Sequence, residues 1–132
     1  RRLIILLLIV GCSKEIPTES GVHPLVGVWQ GLEVNMTIGT TTTTYQYDDY
    51  ISTTWIFSKE GIVSITLLSD GDTSMDNGTW SATNGILTII ESDSNTTVVY
   101  HYSITGSILI LTREEVQYGV TIRSYESIFE KE

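Results

Sequence analysis

From Leu25 to Glu132 the chain contains no proline, and its apolar residues alternate with polar ones instead of recurring at helical spacing. Thr, Val, Ile, Tyr and Trp dominate this stretch, and turn signals recur every 8–12 residues or so. This pattern excludes a helical bundle and a βαβ sandwich of alternating elements. It predicts an all-β domain of short antiparallel strands.

Eight strands are expected. The first covers Leu25 to Met36 and the second Tyr45 to Phe57, with a bulge near Tyr50. The third spans Gly61 to Leu68, the fourth Gly78 to Ala82 and the fifth Ile86 to Glu91. The sixth runs from Thr96 to Thr105, the seventh from Ile108 to Arg113 and the last from Tyr118 to Phe129. Asn84-Gly85 is the pair that a type I′ hairpin prefers, because both central residues need positive φ. Ser58 to Gly61 and Thr105 to Ser107 mark two more turns, and Asp70 to Gly78 is expected as a longer acidic loop. Short connections make sequential strands pair antiparallel. On the sixth strand Val98, Tyr100, Tyr102 and Ile104 share one face, and Val99, His101, Ser103 and Thr105 the other, so the sheet buries one side. Eight such strands can close into an up-and-down barrel, which leaves no free edge. A two-sheet sandwich is the competing architecture.

At 132 residues the chain holds one domain, and 41% hydrophobic content supplies a core. A net charge of −9 argues against nucleic acid and anionic membrane surfaces as direct electrostatic partners. The single Cys and two His exclude an internal disulfide and most zinc sites.

The N-terminal segment has a layout of its own. Arg1 and Arg2 precede an apolar run from Leu3 to Val10, followed by Gly11, Cys12 and a polar stretch. Eight helical residues rise about 12 Å, too little to span a bilayer core of roughly 30 Å. A basic start, a short apolar run and a small residue instead form a secretory signal. Ile9-Val10-Gly11-Cys12 resembles a bacterial lipobox, which implies cleavage before Cys12 and acylation of its thiol and new amine. Residues 1–11 are then the signal and residues 12–24, with Pro17, Ser20, Gly21 and Pro24, a flexible tether. Loss of Arg1 and Arg2 leaves 5 bases against 16 acids, a charge of −11. Acyl chains, at about 0.8 kcal/mol per buried methylene, would hold such an acidic protein at a membrane. Ser13 does not resemble the aspartate that retains enterobacterial lipoproteins at the inner membrane, so an outer-membrane location is expected. Lys14-Glu15 faintly resembles a surface-export signal of Bacteroidetes lipoproteins, and a plain solvated tether is the simpler reading.

Gly27-Val28-Trp29 resembles the Gly-x-Trp opening strand of the lipocalin superfamily. Trp55-Ile56-Phe57-Ser58-Lys59-Glu60-Gly61 resembles its aromatic strand and acidic-Gly turn, and Gly78-Thr79-Trp80-Ser81 and Leu109 to Thr112 fit later hairpins. The set resembles the short lipocalin-like domain of Bacteroidetes lipoproteins over Leu25 to Phe129. It departs from full-length lipocalins in being shorter and in having no recognisable C-terminal helix. The resemblance implies an eight-stranded barrel over residues 25–132. It also implies that Trp29, beside Gly27, closes the base against an arginine of the last strand, for which Arg123 is the candidate.

Trp55, Trp80, Tyr100 and Tyr102 read first as core filling and are the candidate ligand-contacting residues if a pocket is present. Asp70, Asp72, Ser74, Asp76 and Asn77 alternate as Ca²⁺ ligands do. Met75 occupies the position where a helix–loop–helix calcium site needs Gly, and no Glu stands at Ser81, so an ordinary polar turn is the simpler reading. His101 has no evident catalytic partner, and no phosphate loop or nucleophile elbow occurs. Thr40 to Thr44 forms either an edge strand or a polar loop. Asn35, Asn77 and Asn95 head formal glycosylation sequons, which carry little weight in a bacterial protein. No metal, cofactor or enzymatic activity is expected. The expected function is binding of a small hydrophobic ligand in a lipid-anchored envelope barrel. The alternative is a solid barrel acting as a protein-interaction or structural module of the envelope.

Overall fold

The computed structural model describes residues 22–132. The signal, Cys12 and most of the tether lie outside the described residues. Nine strands follow in order: β1 (Gly27–Ile38), β2 (Thr41–Gln46), β3 (Ile51–Phe57), β4 (Ile62–Ser69), β5 (Asp72–Thr83), β6 (Ile86–Glu91), β7 (Thr97–Thr105), β8 (Ile108–Gln117) and β9 (Val120–Lys131). Each of β3 to β8 pairs antiparallel with the next, and β9 pairs back onto β1. β3 pairs with the start of β1, so eight strands close into a barrel and the sandwich is excluded.

The ninth strand arises where β1 changes partner. Gly27 to Gln30 pair with β3, whereas Glu33 to Ile38 pair with β2. Between them a bulge at Gly31/Glu33 shifts the register of β1 against β9. A bulge bends its strand, and here it lets β1 serve two partners along one edge. The expected second strand is therefore two. Thr41 to Thr44 belong to exposed β2, and the chain breaks at Tyr47 to Tyr50 before β3 resumes the barrel. Asp48 organises that break, its Oδ1 accepting the backbone N–H groups of Tyr50 (2.8 Å) and Ile51 (2.9 Å).

Hairpin chemistry sets the other connections. Asn84 (φ 51°) and Gly85 (φ 79°) form the type I′ turn expected from their identity. The expected acidic loop from Asp70 to Gly78 is instead strand. Asp70 (φ 51°) and Gly71 (φ 86°) make a second two-residue I′ turn, and β5 begins at Asp72. An Asp-Gly pair supplies both positive-φ positions, so the acidic residues beyond it extend the ladder.

The core occupies one end of the barrel. Leu25, Trp29, Phe57, Val63, Leu87, Ile89, Leu109, Leu111 and Phe129 are buried there. That base end carries the β3–β4, β5–β6 and β7–β8 turns, the first described residues and the C-terminus. The opposite end, the mouth, carries the β1–β2, β4–β5, β6–β7 and β8–β9 turns.

Candidate functional site

The base is a plug. Trp29 is fully buried, and its indole N–H donates to the Leu25 carbonyl at 2.8 Å. That bond matters because an indole N–H buried without a partner is costly. Gly27, at φ +141°, starts the strand in a conformation glycine takes readily. The cation over Trp29 is Lys131, whose Nζ lies 5.3 Å from the ring centroid, and not Arg123. Register explains the correction: Trp29 pairs with Lys131 across β1 and β9, while Arg123 lies eight residues up β9, about 27 Å at strand rise. Arg123 Nε instead sits 3.4 Å from Glu115. His23, read from the sequence as tether, packs on the base. Its Nδ1 accepts the Leu25 N–H at 3.0 Å, and its ring lies 5.6 Å from Trp80 and 6.1 Å from Tyr102.

The four candidate ligand residues separate into two pairs. Trp80 and Tyr102 belong to the base, where Trp80 Nε1 donates to the Ser58 carbonyl at 3.0 Å and its ring meets Phe57 edge-on at 5.4 Å. Trp55 and Tyr100 meet across the lumen. They stand on β3 and β7, opposite strands of the eight-stranded ring, yet their ring centroids are 5.9 Å apart. Phe129 and Phe57 flank Trp55 at 5.2 and 6.2 Å. This aromatic bridge fills the barrel at mid-height, so the base half is solid.

Above the bridge the interior face changes character. Register places Val34, Met36 and Ile38 of β1, Ile51 of β3, Ile65 and Leu67 of β4 and Tyr45 of β2 on the inner side. Ile38, Tyr45, Ile51 and Leu67 are nonetheless 40–55% exposed. Apolar side chains that face inward and still meet solvent define an open mouth. Between β2 and β3 the wall is split, because both bond to β1 and not to each other. Tyr47 lies in that split against Gly31 and Thr53; a Cβ on Gly31 would sit 2.9 Å from the Tyr47 ring and 2.6 Å from Thr53. Burial raises the Tyr47 phenol above its ordinary pKa. Tyr100 is likewise raised by burial, an effect the Arg113 charge partly offsets and the Glu91 carboxylate adds to.

A second concavity lies outside the barrel. A groove of about 770 Å³ crosses the outer face of β7, β8, β9, β1 and β2, past His101, Thr112, Glu114, Glu126, Asn35 and Thr42. Its lining mixes these polar groups with Val99, Val116 and Tyr125, and part of the polar lining is already bonded: Asn35 Nδ2 donates to Glu126 at 3.0 Å, and Thr44 Oγ1 to Asn35 at 2.6 Å. Asp72, Ser74 and Asp76 are exposed on β5, and no cluster of three or more metal-ligating side chains occurs among the described residues. Lys131, Tyr47 and Arg113 were not singled out from sequence. Alternation along β8 and β9 could have placed Lys131 and Arg113 on the inner face, whereas Tyr47 depends on a chain break that alternation does not mark.

A closed antiparallel barrel with a plugged base and an open mouth defines a lipocalin-like architecture. The family model for the lipocalin-like domain matches residues 25–111, and the chain belongs to that family. Two solved structures share the fold. A lipocalin-like protein from Bacteroides uniformis is 20% identical, with a TM-score of 0.56 over 82% of this chain and 98% of that one. An uncharacterized protein from Bacteroides eggerthii is 12% identical, with a TM-score of 0.58 over 82% and 99%. No curated protein matches the chain.

Proposed function

We propose that this protein is a lipid-anchored component of the bacterial envelope, tethered to the outer membrane through Cys12, that binds a small hydrophobic ligand in the mouth half of its barrel. The observation that carries the binding reading is the exposed, inward-facing set Ile38, Tyr45, Ile51 and Leu67 above the Trp55–Tyr100 bridge. Each such side chain gains about 25 cal/mol per Å² when a ligand covers it. Trp55 and Tyr100 form the floor of the site, and Trp80 and Tyr102 support it from below. The lipid anchor rests on the sequence around Cys12. The described chain enters the barrel at the base, the end opposite the mouth.

Titration with the neutral fluorophore N-phenyl-1-naphthylamine tests the site. Saturable emission enhancement at one probe per chain is expected, and Leu67→Glu should abolish it. Absence of saturable binding to the folded wild type refutes the reading. Mass spectrometry tests the anchor: wild type should carry acyl chains and Cys12→Ala should remain an unprocessed precursor. A second reading, a protein-interaction module, is favoured by the outer groove, which mixes polar and apolar side chains. Substituting Thr112 and Glu126 there should leave probe binding intact.

A further inference from the structure

Strand β2 keeps one edge unpaired along its whole length. It bonds to β1 over Glu33 to Ile38 and ends the strand order, and no other described strand pairs with it. β4, the next strand round the wall, stops at Ser69 opposite Ile51 and does not reach it. The Tyr47 N–H donates to the Leu32 carbonyl at 3.0 Å, which fixes the pairs of the hairpin that exchange bonds. Counting by two along the register, these are Val34 with Tyr45, Met36 with Thr43 and Ile38 with Thr41. The N–H and C=O groups of Thr42, Thr44 and Gln46 therefore point off the free edge.

A bare edge invites pairing, and proteins blunt such edges with lysine, other charges or proline. β2 reads Thr41 to Gln46 with no charged residue and no proline, and every residue in it is exposed. No charged residue occurs from Val34 to Tyr47, in a chain whose net charge is −9. A two-stranded ribbon with water on both faces is marginal, and a third strand stabilises it.

A second copy of this chain fits that edge. Copies of an acidic protein repel one another, and they meet at least cost where neither carries charge. Laid antiparallel about a two-fold axis, Thr44 stands opposite Thr44 of the second copy and Thr42 opposite its Gln46, each pair exchanging two main-chain bonds. Thr43 then faces Tyr45 of the second copy on the inner side, a β-branched residue against an aromatic. The nearest acid, Asp48, falls opposite Thr40 and not opposite another acid. Its Oδ1 already accepts the N–H groups of Tyr50 and Ile51. We propose that the free edge of β2 joins two copies into a symmetric dimer, with one sheet running continuously through both barrels. The dimer needs no ligand, and a two-fold pair uses up both edges, so assembly stops at two copies.

Sedimentation equilibrium of the full chain, under reducing conditions that keep Cys12 from linking copies, provides the test. A reversible monomer–dimer equilibrium is expected, with a dissociation constant on the order of 10–100 µM for so small an interface. Thr44→Asp and Thr44→Lys each set like charges across the axis, and each should weaken the dimer at least about tenfold. An effect of net charge would move the two variants in opposite directions. Mixed in equal amounts, they should associate again at least as tightly as the wild type. Gln46→Pro, which removes an outward N–H and no bond to β1, should weaken the dimer as well. Circular dichroism of each variant confirms the fold. A wild type that stays monomeric up to about 1 mM overturns the proposal and leaves the edge to an extended segment of another protein. Association that these variants do not weaken, or that mixing Thr44→Asp with Thr44→Lys fails to restore, also overturns it, by placing the contact elsewhere.

Discussion

Replacing Trp29 with Phe separates the plug from ordinary core packing. The indole is fully buried and its N–H holds the Leu25 carbonyl at 2.8 Å. Phe cannot donate, so a buried carbonyl loses its partner, at a cost of about 1–3 kcal/mol. The missing ring leaves a void of about 40 Å³, which at about 24 cal/mol per Å³ adds roughly 1 kcal/mol. Lys131, at 5.3 Å, loses its preferred indole face, for about another 0.5 kcal/mol. The total is about 3 kcal/mol. Urea unfolding followed by far-UV circular dichroism should show a lower midpoint at unchanged slope. Trp55→Phe is the comparison, since it removes the same atoms from a half-buried ring and should cost about half as much. A double-mutant cycle of Trp29→Phe with Lys131→Met should show coupling of about 0.5 kcal/mol. If Trp29→Phe costs under about 1 kcal/mol, or no more than Trp55→Phe, the base is not held as argued.

Three further outcomes follow from local geometry. Gly78→Ala should destabilise by about 2 kcal/mol or more in thermal melts, because its Cβ would run into the Ile90 carbonyl oxygen, a backbone atom with little room to yield. Tyr118 stands at φ 52° on the β8–β9 turn and is 96% exposed, so Tyr118→Asn should stabilise by about 0.5–1 kcal/mol, raising the melting temperature by a few degrees. The N–H groups of Ile51 and Tyr50 hold the Asp48 carboxyl below its ordinary pKa. Its contribution is therefore fully present above about pH 4 and is lost as acid protonates the folded-state carboxylate, so Asp48→Ala should show a shallower fall in stability over that range.

The fold was legible because alternation and turn chemistry are local signals. β6 from Ile86 to Glu91 and the Asn84-Gly85 turn were read in place from residue types alone. One misreading and one open alternative share a cause. Asp70 to Gly78 looked like a loop because its side chains are polar, and Thr40 to Thr44 could be read as loop or edge strand. Strand formation there depends on a paired neighbour and a two-residue turn, not on apolar content, since side chains at a barrel mouth face water on both sides of the wall. The identity of the cation on Trp29 was illegible for a different reason. It is fixed by β1–β9 register, a pairing between the two ends of the chain that no nearby residue reports.

The mouth site was hidden at the level of single residues and visible along alternate ones. On β8 the inner stripe reads Leu109, Leu111, Arg113, Glu115, and on β9 it reads Phe129, Ser127, Tyr125, Arg123. On β5 it reads Ala82, Trp80, Gly78, Asp76, Ser74, Asp72 from base to mouth. Each stripe turns from apolar to polar or charged on passing from base to mouth. A uniformly apolar inner face would seal the barrel from end to end, and a uniformly polar one could not fold around it. The change divides one barrel into a half that supplies stability and a half that stays open. Trp55 and Tyr100 stand at the boundary, which explains why the sequence read them first as core and second as ligand contact: one side of the bridge is packed, and the other is the floor of the mouth.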